Sequence, residues 1–153
     1  PFRENIKANP PEKEAAEDTY LQQCKDNLKN LLPFIEENPD TDFMIVFSPY
    51  SIMNWEKKVL AGTLEAQLYV DAYTIEQFLN YENVRVFYFQ DEYDMITDLD
   101  QYMDTCHYTE EYNHYIEQCL KSGKNEVTNQ NYGERLKNMY EIAVSYDYDA
   151  VWE

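Results

Sequence analysis

Five consecutive apolar residues, Phe43-Met44-Ile45-Val46-Phe47, lie between the turn signals Asn38-Pro39-Asp40 and Ser48-Pro49-Tyr50-Ser51. So short a run, bounded in this way, fits a strand buried on both faces, as in a parallel sheet. A helical stretch follows over roughly 52–81, with Trp55, Val59, Ala66, Val70, Tyr73 and Phe78 at its apolar positions. Gly62 is expected to break it in two. Val84 to Phe89 then alternates and is rich in β-formers, which predicts a second strand. Strand, helix and strand in that order imply an α/β fold with parallel pairing and a right-handed crossover. Two strands make a poor sheet. The others are expected from residues outside this chain or from segments that read as loops.

The flanks are helix-rich. Leu21, Cys24, Leu28, Leu31 or Leu32, and Ile35 recur at helical spacing, with Asp18 or Thr19 as cap. Pro33 should kink or interrupt that helix near its end. Residues 1–16, with Pro10 and Pro11, read as an extended lead-in or linker, and 17–153 as the domain portion. Gln90 to His107 reads as an acidic loop. Residues 109–121 read as a helix capped by Thr109, with Tyr112, Ile116, Cys119 and Leu120 on one face. Ser122 to Asn129 reads as a polar loop. A last helix near 132–146 carries Leu136, Met139 or Tyr140, and Ala143.

Hydrophobic residues make up 44% of the 153, enough for a packed core over most of the length. The net charge of −18, from 30 acidic and 12 basic residues, argues against nucleic acid as partner, since phosphate affinity comes from Lys and Arg. It argues equally against docking on an anionic membrane surface. No apolar run approaches the ~20 residues that span a bilayer. The first residue is Pro1, which suggests a fragment whose upstream part carries any targeting or anchor segment. Three cysteines without C-x-x-C spacing give no zinc signature. Most of the 15 tyrosines are expected at helix–sheet boundaries.

One segment carries chemistry: Gln101-Tyr102-Met103-Asp104-Thr105-Cys106-His107-Tyr108, after the second strand and just before a helix. An Asp three residues before a His can hold the imidazole Nδ1–H, freeing the other ring nitrogen to take a proton from a nucleophile. Loops beyond the carboxyl ends of strands are where such sites collect in open α/β sheets. Competing constellations are weaker. Asp91, Glu92, Asp94, Asp98, Asp100 and Asp104 lack EF-hand spacing and its central Gly, so they read as a solvated acidic loop. His107 and His114 are seven apart, without an H-E-x-x-H pattern, and no metal site is expected. Cys106 adjoins His107, but sequence neighbours point apart, which is poor geometry for a nucleophilic pair. Ser48 and Ser51 lack a Gly-x-Ser-x-Gly elbow and read as strand-end turn and helix cap. Trp55 and Trp152 read as packing residues.

The order of these pieces resembles the C-terminal half of the SGNH (GDSL-type) hydrolase superfamily, nearest to its D-alanyl transfer protein-like members in Gram-positive bacteria. The resemblance covers about residues 20–121. A helix over Leu28 to Pro39 leads through Asp40-Thr41-Asp42 into Phe43-Met44-Ile45-Val46-Phe47-Ser48-Pro49. A second strand ends at Val84-Arg85-Val86-Phe87-Tyr88-Phe89, and Asp104-x-x-His107 precedes a helix. The resemblance implies a partial three-layer αβα domain with parallel strands. It implies a Ser–His–Asp triad with His107 as general base, Asp104 as its orienting partner and Tyr108 at the pocket. No cofactor is implied. The family's Gly-Asp-Ser block, oxyanion Gly and Gly-x-Asn-Asp block do not occur here. The parent would be a serine esterase or O-acyltransferase, acting outside the cytoplasmic membrane on ester-linked groups of cell-envelope carbohydrate or polymer. This chain alone would be inactive, lacking nucleophile and oxyanion donors. The competing expectation is a non-enzymatic acidic interaction domain with a tyrosine-rich partner-facing patch.

Overall fold

The computed structural model describes residues 13–151, with side chains from Tyr20 onward. Its elements are α1 (Lys13–Glu36), β1 (Phe43–Phe47), α2 (Ile52–Ala61), α3 (Leu64–Phe78), β2 (Val84–Tyr88), α4 (Tyr93–Thr97), α5 (Glu110–Ser122), β3 (Glu126–Val127) and α6 (Tyr132–Ser145). Single 3₁₀ turns lie at Leu99–Gln101 and Asp149–Val151. The fold is mixed α/β and helix-rich, around a three-stranded sheet of order β1-β2-β3. β1 pairs parallel with β2, Phe43 opposite Val84 through Phe47 opposite Tyr88. β3 pairs antiparallel with β2, Val86 opposite Val127.

Period-two alternation along β2 divides the core. Val84, Val86 and Tyr88 join Ile35, Ile52, Trp55, Ile75 and Met139, from α1, α2, α3 and α6. Phe87 and Phe89 point the other way and join Met95, Ile116 and Cys119. Helices therefore cover both faces of β2, unequally. Trp55 is fully buried, as a packing residue should be, while Trp152 lies outside the described residues.

Several expectations change. The helix begins at Lys13, so residues 13–16 are helical, Asp18 and Thr19 fall inside it, and the rest of the expected lead-in lies outside the described residues. Pro33 does not interrupt α1. It sits in the last turns, where few bonds remain to be lost, and its own carbonyl still accepts from Glu37 N–H at 2.9 Å. Gly62 divides the 52–81 stretch at φ 68°, a left-handed cap natural to glycine. The acidic loop folds in part: it contains the short α4, whose Met95 and Ile96 are buried. The polar 122–129 loop contains β3. β1 is half-buried rather than buried on both faces, because it is a sheet edge; Met44 is 46% exposed.

Two buried polar groups have consequences for stability. Arg135 of α6 meets Asp91, just past β2, through Nε and Nη2 at 2.6 Å each, and also donates to the Tyr88 carbonyl at 2.8 Å. Asp91 is 4% exposed and Arg135 18%. Breaking a buried pair strands the surviving charge. Asp91→Ala or Arg135→Ala should therefore cost about 3–5 kcal/mol in urea unfolding. Lys137→Ala, breaking the exposed Lys137–Glu141 pair, should cost no more than about 0.5 kcal/mol.

Asp71 of α3 is buried. Gln67 donates to Oδ1 at 2.8 Å, while Oδ2 has no partner. Burial raises its pKa from 3.8 to about 7, against the Gln67 bond and the Lys58 charge, which lower it. A raised carboxyl pKa means that the folded state holds a proton the unfolded state has released. Stability should fall as pH rises from about 4 to about 7, by roughly 4 kcal/mol at most, at ~1.4 kcal/mol per unit. Urea midpoints of Asp71→Asn should lose that decline and exceed the parent's at pH ~8.

Candidate functional site

Because β1 and β2 run parallel, both strands exit on the same side of the sheet. The segment 102–108 returns there as a small hairpin. Tyr102 bridges Tyr108, and Met103 N–H donates to the His107 carbonyl at 2.9 Å. Three side-chain hydrogen bonds tie it to the β1 exit and the start of α2. The Tyr102 hydroxyl donates to the Pro49 carbonyl at 3.0 Å. The Ser51 hydroxyl donates to the Thr105 carbonyl at 3.1 Å. The Asn54 amide donates to Cys106 Sγ at 3.1 Å.

These bonds explain two helix starts. Ser51 and Thr109 occupy the N-cap positions of α2 and α5 in extended conformation, yet neither makes a side-chain cap bond. Ser51 is engaged with Thr105, and the Thr109 hydroxyl donates to Gln101 Oε1. The expected caps serve the hairpin instead.

At the hairpin tip, His107 Nδ1 lies 2.6 Å from Asp104 Oδ2. Asp104 Oδ1 accepts the backbone N–H groups of Cys106 at 2.7 Å and His107 at 2.8 Å. One carboxylate thus closes the turn and orients the ring. The ring bond, then the two backbone bonds, lower the Asp104 pKa from 3.8 to about 2. The pair stands in solvent, with side chains 73% exposed for His107 and 54% for Asp104.

His107 borders an open cleft of about 440 Å³. Ser48 and Tyr50 line it from the β1 exit, Met103, Cys106 and Tyr108 from the hairpin, and Asn113 from α5. Tyr108 is held edge-on to Tyr102, centroids 6.2 Å apart, and tilted against Tyr112 at 6.2 Å. The structure thus brings Asp104, His107 and Tyr108 together. It adds Ser48, Tyr50 and Asn113, which sequence reasoning missed as cleft residues; the signal was the Ser48-Pro49-Tyr50 turn at a strand's carboxyl end. Among the described residues no Ser, Thr or Cys side chain hydrogen-bonds the His107 ring. Cys106 and His107 share the cleft, but the Cys106 thiol is engaged by Asn54 rather than by the ring.

Among the described residues no three His, Cys, Asp or Glu side chains gather as metal ligands, and no helix is long and apolar enough to cross a membrane. No family model, curated protein or solved structure matches the chain.

The low Asp104 pKa carries a testable consequence. A depressed carboxyl contributes stability above its unfolded value and loses it as pH falls through the folded one. On acidification below about pH 4 the amide signals of Cys106 and His107 should shift with the Asp104 carboxyl, reaching half of that change near pH 2. Asp104→Ala should collapse the same signals at neutral pH.

Proposed function

We propose that this chain is the histidine–aspartate half of an SGNH-type serine esterase or acyltransferase, which acts on ester-linked groups of cell-envelope carbohydrate or polymer. The observation that carries the reading is the Asp104–His107 contact of 2.6 Å beside an open cleft at the carboxyl ends of parallel strands. Asp104 fixes the ring through Nδ1, and the other ring nitrogen serves as base toward a serine hydroxyl. That serine, with its oxyanion donors, comes from outside residues 13–151, on strands that complete a three-layer αβα sandwich. β1 supports this. By its parallel register, Phe43, Ile45 and Phe47 bond to β2, while the backbone groups of Met44 and Val46 face the open edge. A strand added there would end beside the cleft. In this reading the protein works outside the cytoplasmic membrane, held by a segment not present in this sequence.

A second reading, an acidic interaction domain, draws on the exposure of the pair and on Asp104's turn-closing bonds, which account for that residue without catalysis. Hydrolysis of a model acyl ester by the natural full-length protein separates the two. His107→Ala should lower kcat/KM about 10²–10⁴-fold, and the isolated 153-residue chain should show no turnover above buffer. Equal rates in parent and His107→Ala would favour the interaction domain.

A further inference from the structure

A second cavity, sharing no lining residue with the cleft beside His107, opens between α4 and α5. Its volume is about 340 Å³, the size of a small-molecule site rather than a polymer groove. Met95, which is buried, and the half-buried rings of Tyr112 and Tyr115 supply its apolar lining. The same two tyrosines fasten the short α4 to α5. The Tyr112 hydroxyl donates to the Met95 carbonyl at 3.1 Å, and the Tyr115 hydroxyl to Glu92 Oε2 at 3.3 Å. The walls are therefore set before any ligand arrives, which lowers the ordering cost of binding.

A cation is already seated on this aromatic lining. Lys124, in the turn after α5, holds its Nζ over the Tyr115 ring, 5.0 Å from the centroid, and donates to the Tyr115 oxygen at 2.7 Å. A protonated amine against a ring face is a cation–π contact, the same contact that recognises organic ammonium ligands. The chain thus displays the chemistry of the cavity with the apolar stem and ammonium head of its own lysine.

The charge of the lining points the same way. Glu92, Asp94 and Glu111 line the cavity against one lysine. Glu92 is shared with Arg135, 3.7 Å away. Asp94 and Glu111 stand exposed, without a lysine or arginine partner among the described residues. Their charges reach the aromatic wall: burial first, then Asp98, Glu111 and Asp94, push the Tyr112 hydroxyl up to about 12. The carboxylates do not converge, since among the described residues no three acidic, His or Cys side chains gather as metal ligands. A compact divalent ion needs several oxygens within about 2.5 Å. Acids spread around a ring-lined cavity suit a larger organic cation.

We infer that the cavity between α4 and α5 binds the primary ammonium group of a small alkylamine, laid against the Tyr112 and Tyr115 rings with its N–H groups toward Asp94 and Glu111, and that Lys124 is a built-in competitor for the same surface. The inference is independent of the hydrolase reading. An incoming amine releases the Lys124 ammonium to water, where an exposed charge loses little.

The ¹⁵N-labelled 153-residue chain, with ¹³C-labelled methionine methyls, would be titrated with n-butylammonium at constant ionic strength, and with n-butanol as the uncharged probe of the same shape. Butylammonium should move the Met95 methyl and the Tyr112 and Tyr115 amides, and leave the Asp104 and His107 amides in place. It should bind at least about tenfold more tightly than butanol. The double variant Asp94→Asn with Glu111→Gln, both at exposed positions, should weaken it about fivefold or more. Lys124→Ala, which removes the competitor, should tighten it several-fold. Equal affinity for butanol overturns the inference, because the cavity is then an apolar hole only. Calcium moving the same signals at lower concentration overturns it as well, in favour of a metal site. Unchanged or weaker binding to the Lys124→Ala chain, or unchanged binding to the double variant, does the same, as does the absence of these shifts at about 100 mM butylammonium.

Discussion

The Arg135 guanidinium holds the carboxyl end of the central strand. It ties α6 to the Tyr88 carbonyl and to both oxygens of Asp91, and approaches Asn125 Oδ1 at 3.5 Å in the turn before β3. Removing two charges from water is costly, and only saturated geometry offsets the loss. The bidentate fork against Asp91 supplies it. The chain leaves β2 at this point toward α4 and the hairpin, so the direction of the whole 90–108 excursion starts from a fixed residue. Val127 then closes the other side of β2, and α6 seals the larger core through Leu136, Met139 and Ala143.

From that fixed start, the excursion is secured at its far end by side chains that usually serve their own helices. Ser51 and Thr109 satisfy the hairpin rather than the first turns of α2 and α5. A helix start next to solvent can leave its N–H groups to water at modest cost, of the order of 1 kcal/mol per lost cap. A hairpin without bonds to the sheet would not hold a ring in one orientation. Tyr102 makes the same point: its hydroxyl reaches the Pro49 carbonyl, and its ring meets Tyr108 and Tyr112 edge-on. Tyr50, Tyr102, Tyr108 and Tyr112 lie together at the junction of hairpin, strand exit and α5.

What the sequence made legible was what depends on period and punctuation. Gly62 had to be a break because a left-handed backbone there suits glycine. Ile116 and Cys119 had to face inward because they share a helical stripe. Choosing Met139 over Tyr140 as the buried residue needed the packing of α6 on α2 and α3. β3 escaped notice because two residues carry no period. It is created by Gly123 and by Asn125 at φ 66°, which turn the chain back along β2. α4 escaped because the surrounding acids masked the pair Met95-Ile96. Continuous apolar character in β1 signalled strand correctly, but could not tell a central strand from an edge awaiting a neighbour. For the site, spacing alone gave the Asp104–His107 contact. Tyr50 and Asn113 come from other elements, and only the fold brings them to the cleft.

The exposure of the pair limits what it can do in this form. Water around an exposed polar pair weakens its interaction, and the same contact gains several-fold once solvent is displaced. Asp104 is oriented in advance by two backbone N–H groups, so covering the pair would need no rearrangement of the acid. The strength of the Asp104–His107 contact therefore depends on how far water is excluded from the hairpin tip. Met103, 82% exposed, is the large apolar side chain beside the pair at the cleft rim.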